Sequence, residues 1–215
     1  MNLVDRLAAI PYTGAISDIL DELGHHHQVL PHEVQARCGG GTVSGRAMPL
    51  LGEPTDSRDP DVVFVPFLRM LGDIEPGDVL VSQPSDDRSA HLGELSAETA
   101  KYRGARGAVI DGGVRDAAYI ERLGFPVFAR YRTPMDIDGR WRLVRYGEPI
   151  EIGGVRVARG DYVVGDDDGV LVIPSGIAEE VITRAEAVVD TENLVRKAIL
   201  EGVHPLDAFE TYGRF

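Results

Sequence analysis

Residues 95–130 alternate between helix-like and strand-like segments, and this alternation restricts the fold more than any other feature of the sequence. The pattern predicts helices at 95–103 and 117–123 and strands at 108–110 and 127–130. Short connections of this kind are typical of βαβα units, in which neighbouring strands run parallel. Because parallel strands end at one edge of a sheet, we expect residues 111–116 at the edge where α/β proteins usually bind ligands.

The remainder of the chain predicts N-terminal helices, a β-rich second half and C-terminal helices. The predicted helices are two within residues 1–24, the second capped by Thr13, one at 61–72, one from about 175 to 201 and a short one in the tail. The predicted strands are one at 41–48, a buried one after Gly77, and four at 142–145, 149–157, 161–164 and 170–173. No linker or repeat divides the chain. We therefore expect one domain over residues 1–215, with helical segments at 1–24 and 175–215.

The charge of the chain limits its partners. The formal net charge is −13, and Lys101 and Lys197 are the only lysines. Nucleic-acid binding requires clustered basic residues, so we expect none here. An anionic small molecule would need a locally positive pocket, which arginine would have to supply.

The sequence also predicts the compartment. No apolar run approaches the ~20 residues that span a bilayer, and the first ten residues lack the apolar core of a signal peptide. A single cysteine, Cys38, excludes an internal disulfide. These features predict a cytoplasmic protein without membrane association.

The first candidate site lies at the predicted helix start after Gly93. Its first turn contains Glu94, Leu95 and Ser96. A helix N-terminus presents unpaired N–H groups that can receive a carboxylate, and glycine permits close approach of the backbone. The alternative is an ordinary helix start with a favourable acidic first turn.

The second candidate site is the pair Arg115–Asp116. It follows the strand at 108–110 and the residues Asp111-Gly112-Gly113, which predict a flexible turn. Adjacent side chains on a regular helix or strand point in different directions, so the two charges are not expected to serve each other. Asp116 alone could simply cap the next helix. Arg115 then needs another explanation, and its fork of donors suits a carboxylate or enolate oxygen.

Together these residues form a recognisable pattern. Glu94, twenty intervening residues and then Arg115-Asp116 resemble the acidic-x20-Arg-Asp signature of the 4-hydroxy-4-methyl-2-oxoglutarate and 4-carboxy-4-hydroxy-2-oxoadipate aldolase family, which includes the RraA-like proteins. The similarity extends over nearly the whole chain. It includes the stretches ISDILDELG, PGDVLV, GAVIDGGVRD, LGFPVFAR, PIEIGGVRVARGDYVVGDDDGVLVIP and ETYGRF.

The resemblance implies a fold, an assembly and a reaction. The implied fold is an α/β, layered β/β/α sandwich of the swivelling phosphohistidine-domain type, with N-terminal helices and a long C-terminal helix. The implied assembly is a homotrimer, or a hexamer of paired trimers, with active sites at subunit boundaries, to which Asp18 and Asp21 could contribute. The implied reaction is a divalent-metal-dependent class II aldol cleavage of a 4-hydroxy-2-oxo diacid, similar to 4-hydroxy-4-methyl-2-oxoglutarate, to pyruvate, with oxaloacetate decarboxylation as a side activity.

The resemblance also implies roles for the residues. Asp116 would hold a divalent cation, Mg²⁺ or Mn²⁺, with water completing the shell. Glu94 would orient metal-bound water, and Arg115 would contact the keto or enolate oxygen. The amides of Leu95 and Ser96, beside Gly93, would receive the pyruvyl carboxylate. The group that takes the C4 hydroxyl proton is not identified.

Several positions depart from the family pattern. Tyr119 occupies a place that is commonly acidic, Glu94 replaces a frequent aspartate, and Ser96 replaces a frequent apolar residue. The loop 83–91 and the triplet His25–His27 match no family pattern. The substrate is therefore less constrained than the reaction type.

Other residues have a plain structural reading beside a functional one. His25–His27 predict an exposed turn rather than a metal site, and Asp166–Asp168 predict a turn rather than a calcium loop. His91 is a candidate acid or base, Arg130 and Arg132 are candidates to line the cleft, and Cys38 is expected to be inert. The rival functions are a non-catalytic regulator that binds an RNA-processing enzyme and a related lyase with a diverged substrate.

Overall fold

The structure, a computed structural model, describes residues 2–214. Its helices are α1 (Leu3–Ala9), α2 (Thr13–Glu22), α3 (Pro60–Val63), α4 (Val65–Gly72), α5 (Glu94–Tyr102), α6 (Ala117–Leu123), α7 (Ala178–Leu200) and α8 (Pro205–Tyr212). Its strands are β1 (Gln35–Cys38), β2 (Val43–Pro54), β3 (Asp78–Gln83), β4 (Gly107–Val114), β5 (Val127–Arg132), β6 (Trp141–Tyr146), β7 (Ile150–Ile152), β8 (Val155–Val157), β9 (Tyr162–Asp166) and β10 (Gly169–Ile173).

One large sheet has four parallel strands at its centre. The strand order is β1-β5-β4-β3-β2-β9-β10, and β6 pairs with the second half of β2. Strands β2, β3, β4 and β5 are parallel, and the other pairings in this sheet are antiparallel. The parallel arrangement predicted for residues 108–130 is confirmed. The carboxyl ends of β3, β4 and β5 consequently meet at one edge, where the loops of the candidate site begin.

The sheet is curled, which confirms the predicted mixed α/β fold with its long C-terminal helix. The segment before β1 and β1 itself connect the two edges of the sheet. The amide of Leu30 donates to the carbonyl oxygen of Val170 in β10 at 2.8 Å, and Gln35 in β1 pairs with Ala129 on β5. The hairpin β7–β8 contributes Ile152 to the apolar cluster inside the curl. A second cluster lies under α4, α5 and α6, and a third packs β9 and β10 against α1, α2 and α7.

Several element boundaries differ from the prediction. Strand β2 runs to residue 54 rather than 48, and β1 was not predicted. The segment 149–157 folds back at Gly153-Gly154, where the two glycines predict a turn and both have positive φ. The helix expected at 61–72 is divided at Phe64, because Pro66 has no N–H with which to continue the helical ladder.

The start of α2 also differs from the prediction. Thr13 is the first helical residue rather than the cap, and the carboxylate of Asp166 accepts hydrogen bonds from its amide and hydroxyl at 2.7 and 2.9 Å. Asp166 thereby caps α2 from the β9–β10 hairpin, whose turn is at residues 167–168 as predicted. No helix within residues 2–214 combines the length and apolar character needed to cross a membrane.

Candidate functional site at the carboxyl edge of the sheet

Strand β4 carries the chain directly to the Arg115–Asp116 pair. The flexible turn expected at Asp111-Gly112-Gly113 is wrong, because these residues continue the strand with a register irregularity. A Cβ on Gly112 would lie 2.7 Å from Nδ1 of His91, and one on Gly113 would overlap the ring of Tyr131. The glycines therefore make room for aromatic rings of neighbouring segments.

The loop before α5 runs beside the end of β4. Ala90 forms a parallel bridge with Gly113. The amide of His91 donates to the carbonyl oxygen of Gly113 at 2.9 Å, and the amide of Arg115 donates to that of Leu92 at 3.0 Å. These bonds place the start of α5 against the Arg115–Asp116 pair, as the resemblance implied.

Asp116 caps the neighbouring helix, not its own. It stands at the N-cap of α6 with φ 57° and ψ 31°, in the left-handed region, and its side chain makes no hydrogen bond to α6. Its Oδ2 instead accepts a hydrogen bond from the amide of Glu94, the first residue of α5, at 3.0 Å. The interpretation of Asp116 as a cap for the following helix is therefore wrong.

The left-handed turn brings the two adjacent charges together. Nε of Arg115 lies 3.4 Å from Oδ2 of Asp116, contrary to the expectation that the two side chains would point apart. Nη1 of Arg115 lies 3.4 Å from Oδ2 of Asp136. Asp136 was missed in the sequence because it lies 21 residues further on, in a loop without a motif. Both side chains of the pair remain about one-third exposed.

Gly93 is in contact with this pair. An ideal Cβ at Gly93 would lie 2.7 Å from Oδ2 of Asp116 and 2.9 Å from Nε of Arg115. The φ of Gly93 is −132°, which any residue adopts, so the requirement for glycine here is steric. The close approach predicted at Gly93 is thus an approach to the two charged side chains.

The first turn of α5 retains unpaired amides. The amide of Glu94 is bonded to Asp116, and that of Ala97 donates to the carbonyl oxygen of Gly93. The amides of Leu95 and Ser96 belong to the first turn, which has no intrahelical acceptor for them. The Leu95 side chain is 73% exposed. The backbone N–H groups of Leu95 and Ser96 are therefore able to receive a carboxylate.

A cleft of about 320 Å³ opens beside the pair. Its walls are Val114, Arg115, Asp116, Ala117, Arg132, Thr133 and Pro134. Of the two arginines considered for the cleft, Arg132 lines it. Arg130 lies elsewhere, paired with Asp111 in a wider hollow of about 970 Å³. A further hollow of about 410 Å³ lies between α1 and the start of β2, away from the pair.

The oxygen atoms at the site are compatible with a hydrated hard cation. Within residues 2–214 no group of three or more His, Cys, Asp or Glu side chains could hold a metal ion, and this includes His25–His27. Oδ1 of Asp116 accepts no hydrogen bond from the described residues, and neither does the carboxylate of Glu94. Mg²⁺ usually keeps several waters and needs only one or two carboxylates. One available oxygen on Asp116, with Glu94 nearby, fits such an ion.

Tyr119, which occupies a position that is commonly acidic in the family, contacts a carboxylate of the neighbouring helix α5. Its hydroxyl lies 3.4 Å from Oε2 of Glu98 on α5. The negative charge of Glu98 raises the pKa of Tyr119, with smaller contributions from desolvation and Glu94. A carboxylate is therefore present next to this position, but it comes from the adjacent helix.

His91 is a buried structural residue rather than a cleft acid or base. Its side chain is 1% exposed, Nε2 lies 3.1 Å from Oδ2 of Asp86, and Nδ1 accepts from the amide of Gly113 at 3.3 Å. The ring meets Trp141 edge-on at 5.0 Å between centroids. Burial lowers the pKa of His91 to about 4 despite the opposing effect of Asp86. Of the two readings of His91, the structural one is confirmed, and the candidate role as a cleft acid or base is wrong. Cys38 is also buried, and burial raises its thiol pKa to about 11.

The His91 shift predicts a pH dependence of stability. The folded-state pKa of about 4 lies below the ordinary value of 6.5, so between these values the unfolded chain binds a proton that the folded protein excludes. The stabilisation is complete above pH 6.5 and is lost as the pH falls toward 4, by roughly 2–3 kcal/mol at pH 4.5.

Urea unfolding at pH 7 and 4.5 measures this loss. His91→Asn, which keeps an acceptor for Gly113, should flatten the profile; parallel profiles for the two proteins would contradict the assignment.

The fold and the site together define a class of protein. It is a curled α/β protein in which an Arg-Asp pair at the end of a parallel strand is fixed against the start of the next helix along the edge. The chain matches the RraA-like family, described as Aldolase/RraA, over residues 13–172 and belongs to that family.

Individual relatives agree with this membership. The chain is 34% identical over 143 residues to a protein of Halalkalibacterium halodurans that bears the provisional name 4-hydroxy-4-methyl-2-oxoglutarate aldolase, covering 66% of this chain and 68% of that one. A solved structure of Streptomyces coelicolor RraAS2, described as an unusual member of the RNase ES inhibitor RraA protein family, is 31% identical with a TM-score of 0.81, covering 91% and 96% of the two chains. An uncharacterized protein of Pseudomonas syringae is 29% identical with a TM-score of 0.87, covering 98% and 93%.

Proposed function

We propose that this protein is a divalent-metal-dependent lyase that releases pyruvate from a 4-hydroxy-2-oxo diacid resembling 4-hydroxy-4-methyl-2-oxoglutarate. Oxaloacetate decarboxylation is the expected side activity. The observation that carries the proposal is the joining of Asp116 and Arg115 to the start of α5, in a chain similar to a protein named as such an aldolase. An available carboxylate oxygen and a guanidinium then line one small cleft, and the amide of Glu94 joins the first turn of α5, with its two free amides, to Asp116.

The amides at the start of α5 bind and orient the substrate. The pyruvyl carboxylate is received by the N–H groups of Leu95 and Ser96, at the positive end of the helix dipole. Gly93 has no side chain between these amides and the charged pair. The carboxylate thereby fixes the keto group beside Arg115.

Arg115 stabilises the charge that develops during carbon–carbon cleavage. When the bond between C3 and C4 breaks, the C4 hydroxyl gives its proton to water and becomes a carbonyl, while the electron pair of the bond moves into the pyruvyl unit and negative charge accumulates on the C2 oxygen. Protonation of the enolate at C3 then gives pyruvate. A guanidinium already held by Asp116 and Asp136 faces that charge without reorganising, and such preorganised donors favour the transition state over the substrate.

Asp116 would hold the cation through its available Oδ1, and Glu94 would position the water around it. When bound, Mg²⁺ or Mn²⁺ supplies Lewis acidity toward the carboxylate and keto oxygens of the substrate. Neither lysine lies at this site, so no Schiff base is part of the proposal. Loss of CO₂ from oxaloacetate passes through the same enolate, which is why one site would serve both reactions.

The proposed assembly is a homotrimer or hexamer with the cleft near a subunit boundary, where Asp18 or Asp21 of α2 could contribute to a neighbouring site. Light scattering of the purified protein measures the number of subunits.

The activity test uses purified protein and coupled detection of pyruvate. We expect pyruvate from 4-hydroxy-4-methyl-2-oxoglutarate and, more slowly, from oxaloacetate. EDTA should stop both reactions, and Mg²⁺ or Mn²⁺ should restore them. Absence of pyruvate from both substrates, with either metal and at several pH values, would reject the proposal.

A second candidate function is a non-catalytic regulator of an RNA-processing enzyme. The likeness to a member of the RNase ES inhibitor RraA family favours it, as does the net charge of −13 on a surface that could engage a basic partner. Such a regulator should inhibit RNA cleavage by an RNase E-type endonuclease. Asp116→Asn should leave that inhibition unchanged, whereas it should abolish the lyase.

A further inference from the structure

Arg132 is a cation in the cleft wall whose backbone is fixed. It is the last residue of β5 and pairs in register with Val114, the residue before Arg115. The next amide, that of Thr133, donates to the carbonyl oxygen of Val114 at 3.0 Å. Arg132 therefore lies on the strand next to the Arg115–Asp116 pair and lines the same cleft.

The segment after Arg132 is held as well. The hydroxyl of Thr133 accepts from the amide of Met135 at 3.3 Å, and the carbonyl oxygen of Met135 accepts from Ala90 in the loop before α5 at 2.9 Å. One hydrogen-bonded framework thus connects the base of Arg132 with the loop that sets the start of α5. The position of the Arg132 backbone relative to the start of α5 is consequently fixed by the fold.

The guanidinium of Arg132, unlike those of Arg115 and Arg130, has no ion-pair partner within residues 2–214. Arg115 contacts Asp116 and Asp136, and Arg130 is paired with Asp111 and Glu33. Arg132 is exposed and forms no ion pair or side-chain hydrogen bond within the described part of the chain. In a protein with a net charge of −13, a free guanidinium in a small cleft attracts a ligand carboxylate.

We propose that Arg132 binds the distal carboxylate of the substrate and makes this site selective for 2-oxo diacids over 2-oxo monoacids. This inference rests on the proposed function and names the specificity residue of the same cleft. The keto oxygen of the substrate lies at Arg115, which lines the same cleft as Arg132, so the far end of a diacid bound at Arg115 extends along the cleft to Arg132. A cleft of about 320 Å³ limits the ligand to a compact acid.

The test compares two ligands that differ only at the far end. 2-Oxoglutarate and 2-oxopentanoate have the same five-carbon chain and the same 2-oxo acid group, but only the first has a distal carboxylate. Neither has the C4 hydroxyl that aldol cleavage requires, so both remain intact during the titration. Titration calorimetry with Mg²⁺ present should show that the wild-type protein binds 2-oxoglutarate about 10- to 100-fold more tightly, the effect of one hydrogen-bonded charge.

Arg132→Gln should raise the Kd of 2-oxoglutarate by this factor and leave that of 2-oxopentanoate within about twofold. Arg132→Lys should restore part of the preference, because it keeps the charge but loses the fork. Arg103→Gln, an exposed arginine at the end of α5, controls for the change in net charge and should have no effect.

The outcomes separate this inference from the proposed function. If the wild-type protein binds both ligands and Arg132→Gln retains the diacid preference, the assignment of Arg132 is overturned while the lyase proposal stands. If the wild-type protein binds neither ligand and releases no pyruvate, both are overturned. If Arg132→Gln loses the preference for 2-oxoglutarate, and this variant still releases pyruvate from oxaloacetate in a reaction that EDTA stops, both the assignment of Arg132 and the lyase proposal are supported.

Discussion

Asp116→Asn should lower the rate of pyruvate release at least about 10³-fold, which corresponds to roughly 4 kcal/mol of transition-state stabilisation. An amide keeps the shape of the carboxylate but removes the negative charge, and a hard cation depends on charged oxygen ligands. The variant should stay folded for two reasons visible in the structure. Asparagine tolerates the left-handed backbone at φ 57°, and its Oδ1 can still accept the hydrogen bond from the amide of Glu94.

The controls for this variant separate charge from structure. Asp116→Ala removes the acceptor for the Glu94 amide as well as the charge, so it should cost an additional ~1 kcal/mol or more in the free energy of unfolding. Asp190→Asn, at an exposed position on α7, should match the wild-type protein in both assays. Pyruvate kinetics over a range of Mg²⁺ concentrations and urea unfolding make the comparison. Near-normal turnover in Asp116→Asn would remove this carboxylate from the reaction.

Local patterns in the sequence predicted the parallel centre of the sheet and the edge that carries the candidate site. The run Ala108–Ile110, the helix at 117–123 and the short connections predict parallel strands, and parallel strands must end at one edge. The nearness of Glu94 to Asp116 came from family resemblance, because no local rule joins residues 22 positions apart. The hydrogen bond between the Glu94 amide and the Asp116 carboxylate explains why this spacing matters. The residues between them form α5, the connection to β4 and β4 itself, and the combined length of these elements must return the chain to the start of α5.

The wrong predictions share one physical cause. Gly112 and Gly113 resemble a turn in the sequence, but the rings of His91 and Tyr131 occupy the space of their missing side chains, so the strand continues. His91 was a candidate acid or base only because it lies two residues before Gly93 in the chain. Its burial against Trp141, fifty residues away, is a tertiary contact without a local signal. Asp136 and the cap from Asp166 belong to the same class of contact.

Gly93→Ala should lower the rate of pyruvate release about 10²-fold while the fold remains stable. The added methyl group would lie 2.7 Å from Oδ2 of Asp116 and 2.9 Å from Nε of Arg115. These are the ends of side chains, which can rotate away, so the backbone need not move and the free energy of unfolding should fall by only about 1 kcal/mol. Displacing the pair by about 1 Å, however, removes it from the geometry that the reaction needs, and such displacements cost about 10²-fold.

Gly72→Ala is the matched control for this substitution. Gly72 ends α4, its Cβ would meet nothing within 4 Å, and its φ is not in the left-handed region. Alanine there should leave activity unchanged and stability equal or slightly higher. The decisive measurement is the ratio of the two losses in Gly93→Ala: pyruvate kinetics should change far more than urea unfolding. If stability falls by several kcal/mol while the remaining folded protein turns over normally, Gly93 serves packing alone. If both remain normal, the contact of Gly93 with Asp116 and Arg115 has no part in the reaction.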